Sequence, residues 1–338
     1  MSKKKNISYL FSLALLLLAG CDADTATVPL PGEERAVEVR LKASVCTVEA
    51  TVSRNVIEGT ALNTGDKIGM FLMRDSNFST PYLQNLPYLY AEDGQLNLQP
   101  EGTKVYYPAR KDTLYLYGYY PYTTEAATDG HGKVSIPVTA ALEANEATDY
   151  LYTGEIKGSK KAAATAAGIP VSLKHALARL CLNISTNRPE YTAESYPVLQ
   201  SIGFITREGQ KGTMDLQTGD ITSDSPDAGT SVISDYQDEA TPPALIPGTS
   251  VLQKDYLLLP YKHGSTGALR RLAFSIKEPD GTVKDIVVFD EADADANTPP
   301  SIVLEAGKTT TLNIIYTQSM AAKASVKDWD KGTEHTFQ

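Results

Sequence analysis

The sequence predicts an all-β protein built from β-sandwiches. Short segments that alternate apolar and polar residues recur along the 338 residues, separated by turns rich in Gly, Pro, Asn and Asp, while long amphipathic runs of helical period are missing. Tyrosine is common, with 19 copies, and Thr, Val and Tyr all favour extended strands. A chain of this length with 42% hydrophobic residues can bury the cores of two domains.

The N-terminal 36 residues predict export rather than a fold. A basic segment at Lys3–Lys5 is followed by an apolar core of about ten residues and then by small residues that precede Cys21. This order is typical of a bacterial lipoprotein signal peptide, residues 1–21, whose Cys21 thiol is acylated and becomes the new N-terminus. An ordinary signal peptide cut near residue 19 is the alternative. Residues 22–36 are polar and contain two prolines, so we expect a flexible tether between lipid and fold.

The first strand organises the rest of the chain. Residues 37–45 alternate apolar and polar side chains, the period of a strand with one buried face. The apolar phase then flips at residues 48, 50 and 52, which predicts a bulge or tight turn near Cys46. Arg54 and Asn55 follow in a polar break. We predict that residues 37–54 form a removable strand that fills a groove and is cut off after Arg54.

Further strands are expected along most of the remaining chain. One long strand is predicted over residues 171–184, passing between two domains, with a helix over residues 173–182 as the alternative. Residues 157–168 predict an exposed loop, compatible with a short helix, and residues 223–243 predict a polar loop. The other predicted strands lie near residues 68–72, 114–120, 134–138, 199–205, 212–221 (a hairpin), 252–261, 272–277, 283–289, 312–317 and 324–329.

Composition and motifs argue against catalysis, metal binding and nucleic-acid binding. A net charge of −10 makes nucleic acid and anionic membrane surfaces poor partners. The four histidines lack metal-binding spacing, and His175 is interpreted as a structural histidine. The acidic residues 290–297 resemble the start of a calcium loop but lack its glycine, so a solvated acidic loop is expected. The sequence therefore predicts no enzyme, no cofactor and no metal site.

Two features leave alternatives open. Residues 82–122 contain ten of the tyrosines, which could stack on a glycan, although pairing within the sheets explains them more simply. Cys46 and Cys181 could form one disulfide in an oxidising compartment, or remain two half-buried thiols. We expect the two separate thiols, because a disulfide to Cys46 would tether the removable piece.

Several short motifs, in this order and spacing, resemble the Bacteroidales-type fimbrillins, the subunit family of lipoprotein-derived pili. The motifs lie at residues 18–21, 65–71, 117–122, 149–152, 175–180, 258–260, 305–308 and 325–329. The resemblance implies two transthyretin-like β-sandwich domains in tandem, here residues 37–172 and 173–338. It also implies surface export and a cut by an Arg-specific, trypsin-like protease, for which Arg54 occupies the matching position and Arg40 is the nearest alternative.

The expected function follows from that resemblance. A cut would open a groove that a strand of another subunit fills, and we predict the C-terminal segment around Ala324, Val326 and Trp329 as the donor strand, unless that segment stays in its own sheet. The expected protein is a stalk or tip subunit of a surface pilus that contributes to adhesion. Its expected partners are other pilin subunits, the protease and, through lipid on Cys21, the outer membrane. The alternative is a surface lipoprotein that never polymerises and binds a glycan or a host protein.

Overall fold

The computed structural model confirms the all-β class. It describes residues 36–45, 62–76, 78–128, 134–140, 148–165, 168–192, 194–226, 229–247, 252–261, 267–291, 302–316, 325–328 and 334–336. These residues form twenty-one strands and one short helix.

The strands follow one another with short connections. The first half of the chain contains β1 (Leu41–Val45), β2 (Lys67–Met73), β3 (Pro81–Tyr90), β4 (Gln95–Leu98), β5 (Thr113–Tyr120), β6 (Ala127–Thr128), β7 (Val134–Thr139), β8 (Leu151–Tyr152), β9 (Ile156–Ser159), α1 (Lys160–Ala163) and β10 (Ile169–His175). The second half contains β11 (Ala178–Thr186), β12 (Val198–Thr206), β13 (Lys211–Asp215), β14 (Ile221–Ser223), β15 (Thr230–Asp235), β16 (Leu252–Leu258), β17 (Leu269–Lys277), β18 (Val283–Asp290), β19 (Thr309–Tyr316), β20 (Ser325–Asp328) and β21 (Glu334–Thr336).

The largest sheet closes on itself. Its strand order is β2-β3-β4-β1-β10-β8-β5-β9, and β2 also pairs with β5, so seven of its strands form a ring. Side chains that point into this ring form one buried cluster, to which β1, β2, β4, β5 and β10 all contribute. Ring closure matters for function, because a closed sheet has no free edge of unpaired backbone groups.

Two further sheets belong to the second half. One has the order β16-β11-β19-β20-β21 and the other β15-β12-β17-β18. Their inner faces share a single buried core with fully buried residues such as Leu182, Leu272 and Leu312. Two sheets that enclose one core are the architecture of a sandwich, as the alternating pattern predicts.

The fourth sheet joins residues from both halves of the chain. Its order is β14-β13-β7-β6, and β7 pairs with β13 over five residues, including Ile136 with Met214. Both side chains are fully buried in a cluster with Phe71, Tyr117 and Leu257. The predicted boundary between residues 172 and 173 is therefore bridged by backbone hydrogen bonds as well as by apolar packing. The tandem transthyretin-like arrangement stays a prediction.

The predicted single strand over residues 171–184 is wrong. The structure has two strands, β10 and β11, separated by Ala176 and Leu177, and neither forms a helix. The Ala176 amide donates to the Tyr150 carbonyl, and the Leu177 carbonyl accepts from the Gly307 amide. These two residues leave the ladder because their backbone groups bond to other segments and their side chains are buried in the core that both halves share.

Two loop predictions also need correction, and one strand lies beyond the last predicted one. The polar loop predicted at residues 223–243 contains β15, whose Val232 is 2% exposed and packs into the second-half core. At residues 157–168, the short helix that the sequence left open forms as α1, but Ala163 is buried and the segment begins with the end of β9. Beyond the last predicted strand, residues 334–336 form β21. In each case tertiary contacts make strand or helix of a segment whose composition is typical of a loop.

Candidate strand-binding groove

The predicted removable strand lies between two other strands of the ring. β1 runs parallel to β10 over five residue pairs, from Leu41 opposite Ile169 to Val45 opposite Leu173. On its other side β1 is antiparallel to β4, but only Leu41 and Lys42 have partners there. The strand is thus held by a continuous ladder on one side and by a short one on the other.

One face of this strand fills the interior of the ring. Val39, Leu41, Ala43 and Val45 are each at most 5% exposed, and they belong to the same buried cluster as Leu96 and Val171 of the neighbouring strands. The alternate residues 40, 42 and 44 are exposed. This alternation confirms the predicted one-sided strand over the residues described. Burial of a Val or Leu side chain stabilises a fold by about 1.5–3 kcal/mol, so β1 contributes several such increments.

Two glycines allow the chain to pass close to β1. Gly168 has φ +69°, and a Cβ there would lie 3.0 Å from the Arg40 carbonyl oxygen. Gly94 has φ +84°, its carbonyl accepts from the Ala43 amide at 2.9 Å, and a Cβ there would lie 3.4 Å from the Ala43 oxygen. Residues with a Cβ disfavour this backbone conformation. The two walls of the groove therefore approach this segment closely at Arg40 and at Ala43, a feature that the sequence did not predict.

A cleft of about 620 Å³ opens beside the N-terminal half of the strand. Residues 38–41 line one wall, and the opposite wall comes from β4 and residues 99–105. The cleft exists because the residues before Leu41 do not pair with β4 but with residues 105–107, where the Val39 amide donates to the Val105 carbonyl at 2.7 Å. This side of β1 is therefore the weakly bonded one.

Charges around the strand contribute little to holding it. Glu38 lies 3.4 Å from Arg40 and 3.7 Å from Lys104, but both cations are more than half exposed. Exposed ion pairs of this kind are worth between 0 and about 1 kcal/mol. Below them the Tyr88 hydroxyl is buried without a hydrogen-bond partner, and burial, followed by the charge of Glu38, raises its pKa. Apolar packing and the ladder to β10 are thus the main forces on β1.

The predicted donor strand is paired within its own chain. β20 is antiparallel to β19 at three positions, residues 310–312, and antiparallel to β21 on its other side. Val326 lies in β20, while Ala324 and Trp329 fall outside the described residues. Over the described residues, each of the two ladders of β20 has three register pairs, whereas β1 and β10 share five.

Most of the remaining predicted site residues lie outside the part of the chain that the structure describes. Cys21, Arg54, Asn55 and Cys46 are not among the described residues, so lipidation, cleavage and the disulfide stay predictions there. Cys181 is a buried free cysteine, and burial, followed by the charge of Asp255, raises the pKa of its thiol to about 12. Such a thiol is a poor nucleophile at neutral pH.

The described part of the chain contains no constellation typical of an enzyme. Within it, no group of His, Cys, Asp and Glu residues could hold a metal ion. His175 is a structural histidine as predicted: its Nδ1 lies 2.5 Å from the Asp149 carboxylate, and both side chains are buried. Burial lowers the His175 pKa, but the bond and charge of Asp149 outweigh that and raise it. Among the described residues, the structure also shows no helix with the length and apolarity to cross a membrane.

Together these features define a class: an all-β structural protein whose N-terminal strand completes a closed sheet. A family model described as fimbrillin-like matches residues 53–329, and the chain belongs to that family. The family is one of structural, non-enzymatic proteins of the pilus type, which confirms the resemblance noted in the sequence. A search of curated proteins finds no match.

Crystal structures of proteins from three Bacteroides species share the fold. A candidate cell adhesion protein from Bacteroides uniformis is 18% identical, with a TM-score of 0.53, covering 86% of this chain and 96% of its own. A candidate cell adhesion protein from Bacteroides ovatus is 14% identical, with a TM-score of 0.55, covering 90% and 99%. A fimbrial protein from Bacteroides vulgatus is 12% identical, with a TM-score of 0.50, covering 86% and 99%. At these identities the likeness concerns the fold.

Proposed function

We propose that this chain is a pilus subunit that is exported as a lipoprotein through Cys21, matured by cleavage after Arg54 and assembled by strand addition. One observation carries the proposal: the first strand of the fold is buried between β4 and β10, yet it lies next to the segment that would be cut. A strand at the end of the chain can leave without breaking any other connection. The family membership supports the pilus-type role.

The position of β1 inside a sheet would ordinarily argue against its removal, because loss of a central strand divides a sheet. Here the sheet is a ring, and β2 pairs with β5 over five residues. After removal of residues 1–54 the other strands remain linked through that pairing, from β4 by way of β3, β2, β5 and β8 to β10. The ring would open without falling into two pieces.

An opened ring would expose two kinds of surface that need a partner. The facing edges of β10 and β4 would carry unpaired amide and carbonyl groups, and the apolar side chains that Leu41 and Val45 cover would meet water. A strand from another subunit supplies both a ladder and alternating apolar side chains. We propose the C-terminal segment with Ala324, Val326 and Trp329 as that strand.

The place of action follows from the same steps. Before the cut, lipid on Cys21 would hold the subunit at the outer membrane, facing the cell exterior. The cut after Arg54 would release residues 55–338 from the lipid, so the mature subunit would belong to the fimbria. Its partners would then be an Arg-specific surface protease and other pilin subunits.

The alternative, a monomeric surface lipoprotein that binds a glycan through tyrosines, finds less support. Tyr117 and Tyr119 in β5 are at most 2% exposed and pack in the core. In the tyrosine-rich stretch 82–122, the most exposed tyrosine is Tyr106, at 41%. A stacking platform needs exposed ring faces, so these tyrosines stabilise the fold instead.

Limited digestion of the purified full chain with an Arg-specific protease tests the proposal. We expect one cut after Arg54, identified by N-terminal sequencing, followed by polymers visible by size-exclusion chromatography and electron microscopy. Arg54→Ala should abolish polymer formation, whereas Arg40→Ala, the matched control directly before β1, should assemble normally. A cut chain that stays monomeric, or an Arg54→Ala variant that polymerises, would contradict the proposal.

A further inference from the structure

The chain contains one tetrapeptide twice, at two functionally linked places. Lys42-Ala43-Ser44-Val45, the end of β1, recurs as Lys323-Ala324-Ser325-Val326 near the C-terminus. The first copy lies in the strand that would be removed, and the second in the segment that would be donated. β20 begins within the second copy, at Ser325.

The two segments also share an alternation of apolar residues beyond the four identical positions. Aligned on the tetrapeptide, residues 39–45 read Val-Arg-Leu-Lys-Ala-Ser-Val and residues 320–326 read Met-Ala-Ala-Lys-Ala-Ser-Val. Each buried position of the segment 39–45, namely residues 39, 41, 43 and 45, corresponds to an apolar residue in the C-terminal copy. The period of two is therefore the same, and the same face can enter the ring.

We propose that the C-terminal segment of a second copy of this chain replaces β1 in register, with Val326 in the place of Val45, Ala324 in that of Ala43 and Lys323 in that of Lys42. The donor strand then runs parallel to β10, as β1 does. This inference rests on the proposed strand addition and adds its direction, its register and its partner.

The register has a physical basis in the groove. Ala43 is 5% exposed and its side chain lies in the buried cluster inside the ring, so this place holds a small side chain, and Ala324 supplies the same one. A slip by one residue would turn the apolar face of the donor to solvent and direct Lys323 and Ser325 into the core. Burial of an unpaired lysine there is far costlier than any gain from the ladder.

The partner follows from the same match. A groove that its own chain fills with Lys-Ala-Ser-Val is complementary to any strand that carries this sequence, and the mature chain carries it at its own C-terminus. Successive copies can therefore join head to tail without a different subunit between them, a heterologous contact that extends rather than closes. The inference thus favours a stalk subunit that forms a homopolymer.

One position is matched less well and provides a test. Leu41 is 1% exposed, but its counterpart is Ala322, which is smaller. The in-register joint would therefore contain less apolar volume than the precursor at this place. Ala322→Leu should refill it and slow dissociation of the polymer by roughly tenfold or more, while the control Ala321→Leu, on the solvent face, should not. Equal dissociation of the two variants would overturn the register.

A cross-link tests the register directly. In the precursor Ser44 lies opposite Ser172 of β10, and both are exposed, so Ser325 of the donor should take the place of Ser44. Neighbouring residues on paired strands are about 5 Å apart, within reach of a disulfide. The full chain with Ser172→Cys and Ser325→Cys is cut with the Arg-specific protease and oxidised mildly. The mature chain keeps Cys181 as its natural thiol, and that thiol is buried.

We expect a ladder of disulfide-linked oligomers on a non-reducing gel. The matched control, Ser172→Cys with Lys327→Cys, is displaced by two residues on the same face and should give only a faint ladder, because about 6.6 Å along the strand separates the thiols further. Polymers that cross-link through the control pair rather than the in-register pair, or through neither, would overturn the register alone. Failure of the cut chain to polymerise would overturn the proposed function together with this inference.

Discussion

At the scale of single residues, one buried carboxylate links several elements through hydrogen bonds. Glu278, at the turn after β17, is 8% exposed and accepts hydrogen bonds from Tyr191, from Tyr316 at 2.5 Å and from Lys284 at 2.8 Å. Arg188 adds a contact at 3.2 Å. Burial alone would raise the pKa of Glu278, but the bonds from Lys284 and the two tyrosines outweigh it and lower the pKa to about 2. The end of β19 is thereby fixed to the loop that follows β11.

This network predicts a pH-dependent stability. A carboxylate whose pKa is lower in the folded state stabilises the fold above its unfolded pKa of about 4.5, and that contribution is lost as the pH falls towards about 2. Glu278→Gln should therefore lower the free energy of unfolding by about 1–3 kcal/mol at pH 7 and by less at pH 3. Urea unfolding at both pH values measures this. The exposed control Glu239→Gln should change little, and an equal loss at both pH values would contradict the prediction.

At the scale of elements, the first strand is held by its buried side chains and by one continuous ladder, to β10. Leu41 is 1% exposed within the ring, and β4 offers β1 only two register pairs. The sequence showed the alternation of this strand, because a period of two is a local property. It did not show that the strand has a parallel partner in β10, because the local sequence pattern does not indicate which distant strand a segment pairs with.

Truncation of this anchor should weaken the precursor alone. We expect Leu41→Ala to lower the unfolding free energy of the uncut chain by about 2–5 kcal/mol, because it leaves a cavity in the ring, while the exposed neighbour Lys42→Ala should change it by at most about 0.5 kcal/mol. Chemical denaturation of the purified variants checks this. A cut after Arg54 removes both positions, so the mature chains are identical, and any difference between them afterwards would show that the cut lies elsewhere.

At the scale of the whole molecule, the halves on either side of residues 172 and 173 share structure. The β7–β13 ladder and the cluster around Ile136 and Met214 belong to both. A tandem arrangement read from sequence suggests two independent cores, whereas the structure adds a third buried cluster between them. Such a cluster couples the unfolding of the parts that it joins, because neither can unfold without exposing it to water.

We therefore expect one cooperative unfolding transition for the wild-type chain. Met214→Ala, at a fully buried position of β13, should cost about 2–5 kcal/mol and separate the transition into two. The neighbour Thr213→Ala, on the opposite face of the same strand, should preserve a single transition. Differential scanning calorimetry distinguishes these outcomes, and two transitions in the wild type would contradict the coupling.

The sequence by itself determined the all-β class, the one-sided first strand, the structural histidine and the family. Periodicity, turn residues and motifs are all properties of residues close together in the chain. It also contained the repeated Lys-Ala-Ser-Val tetrapeptide, whose meaning became visible once β1 was found inside a ring. Only the tertiary structure decided that the ring closes through β2 and β5, that residues 176 and 177 interrupt a long apolar run, and that β15 forms in a polar stretch. Those features arise from contacts between residues distant in the chain, whose free energy outweighs local propensity.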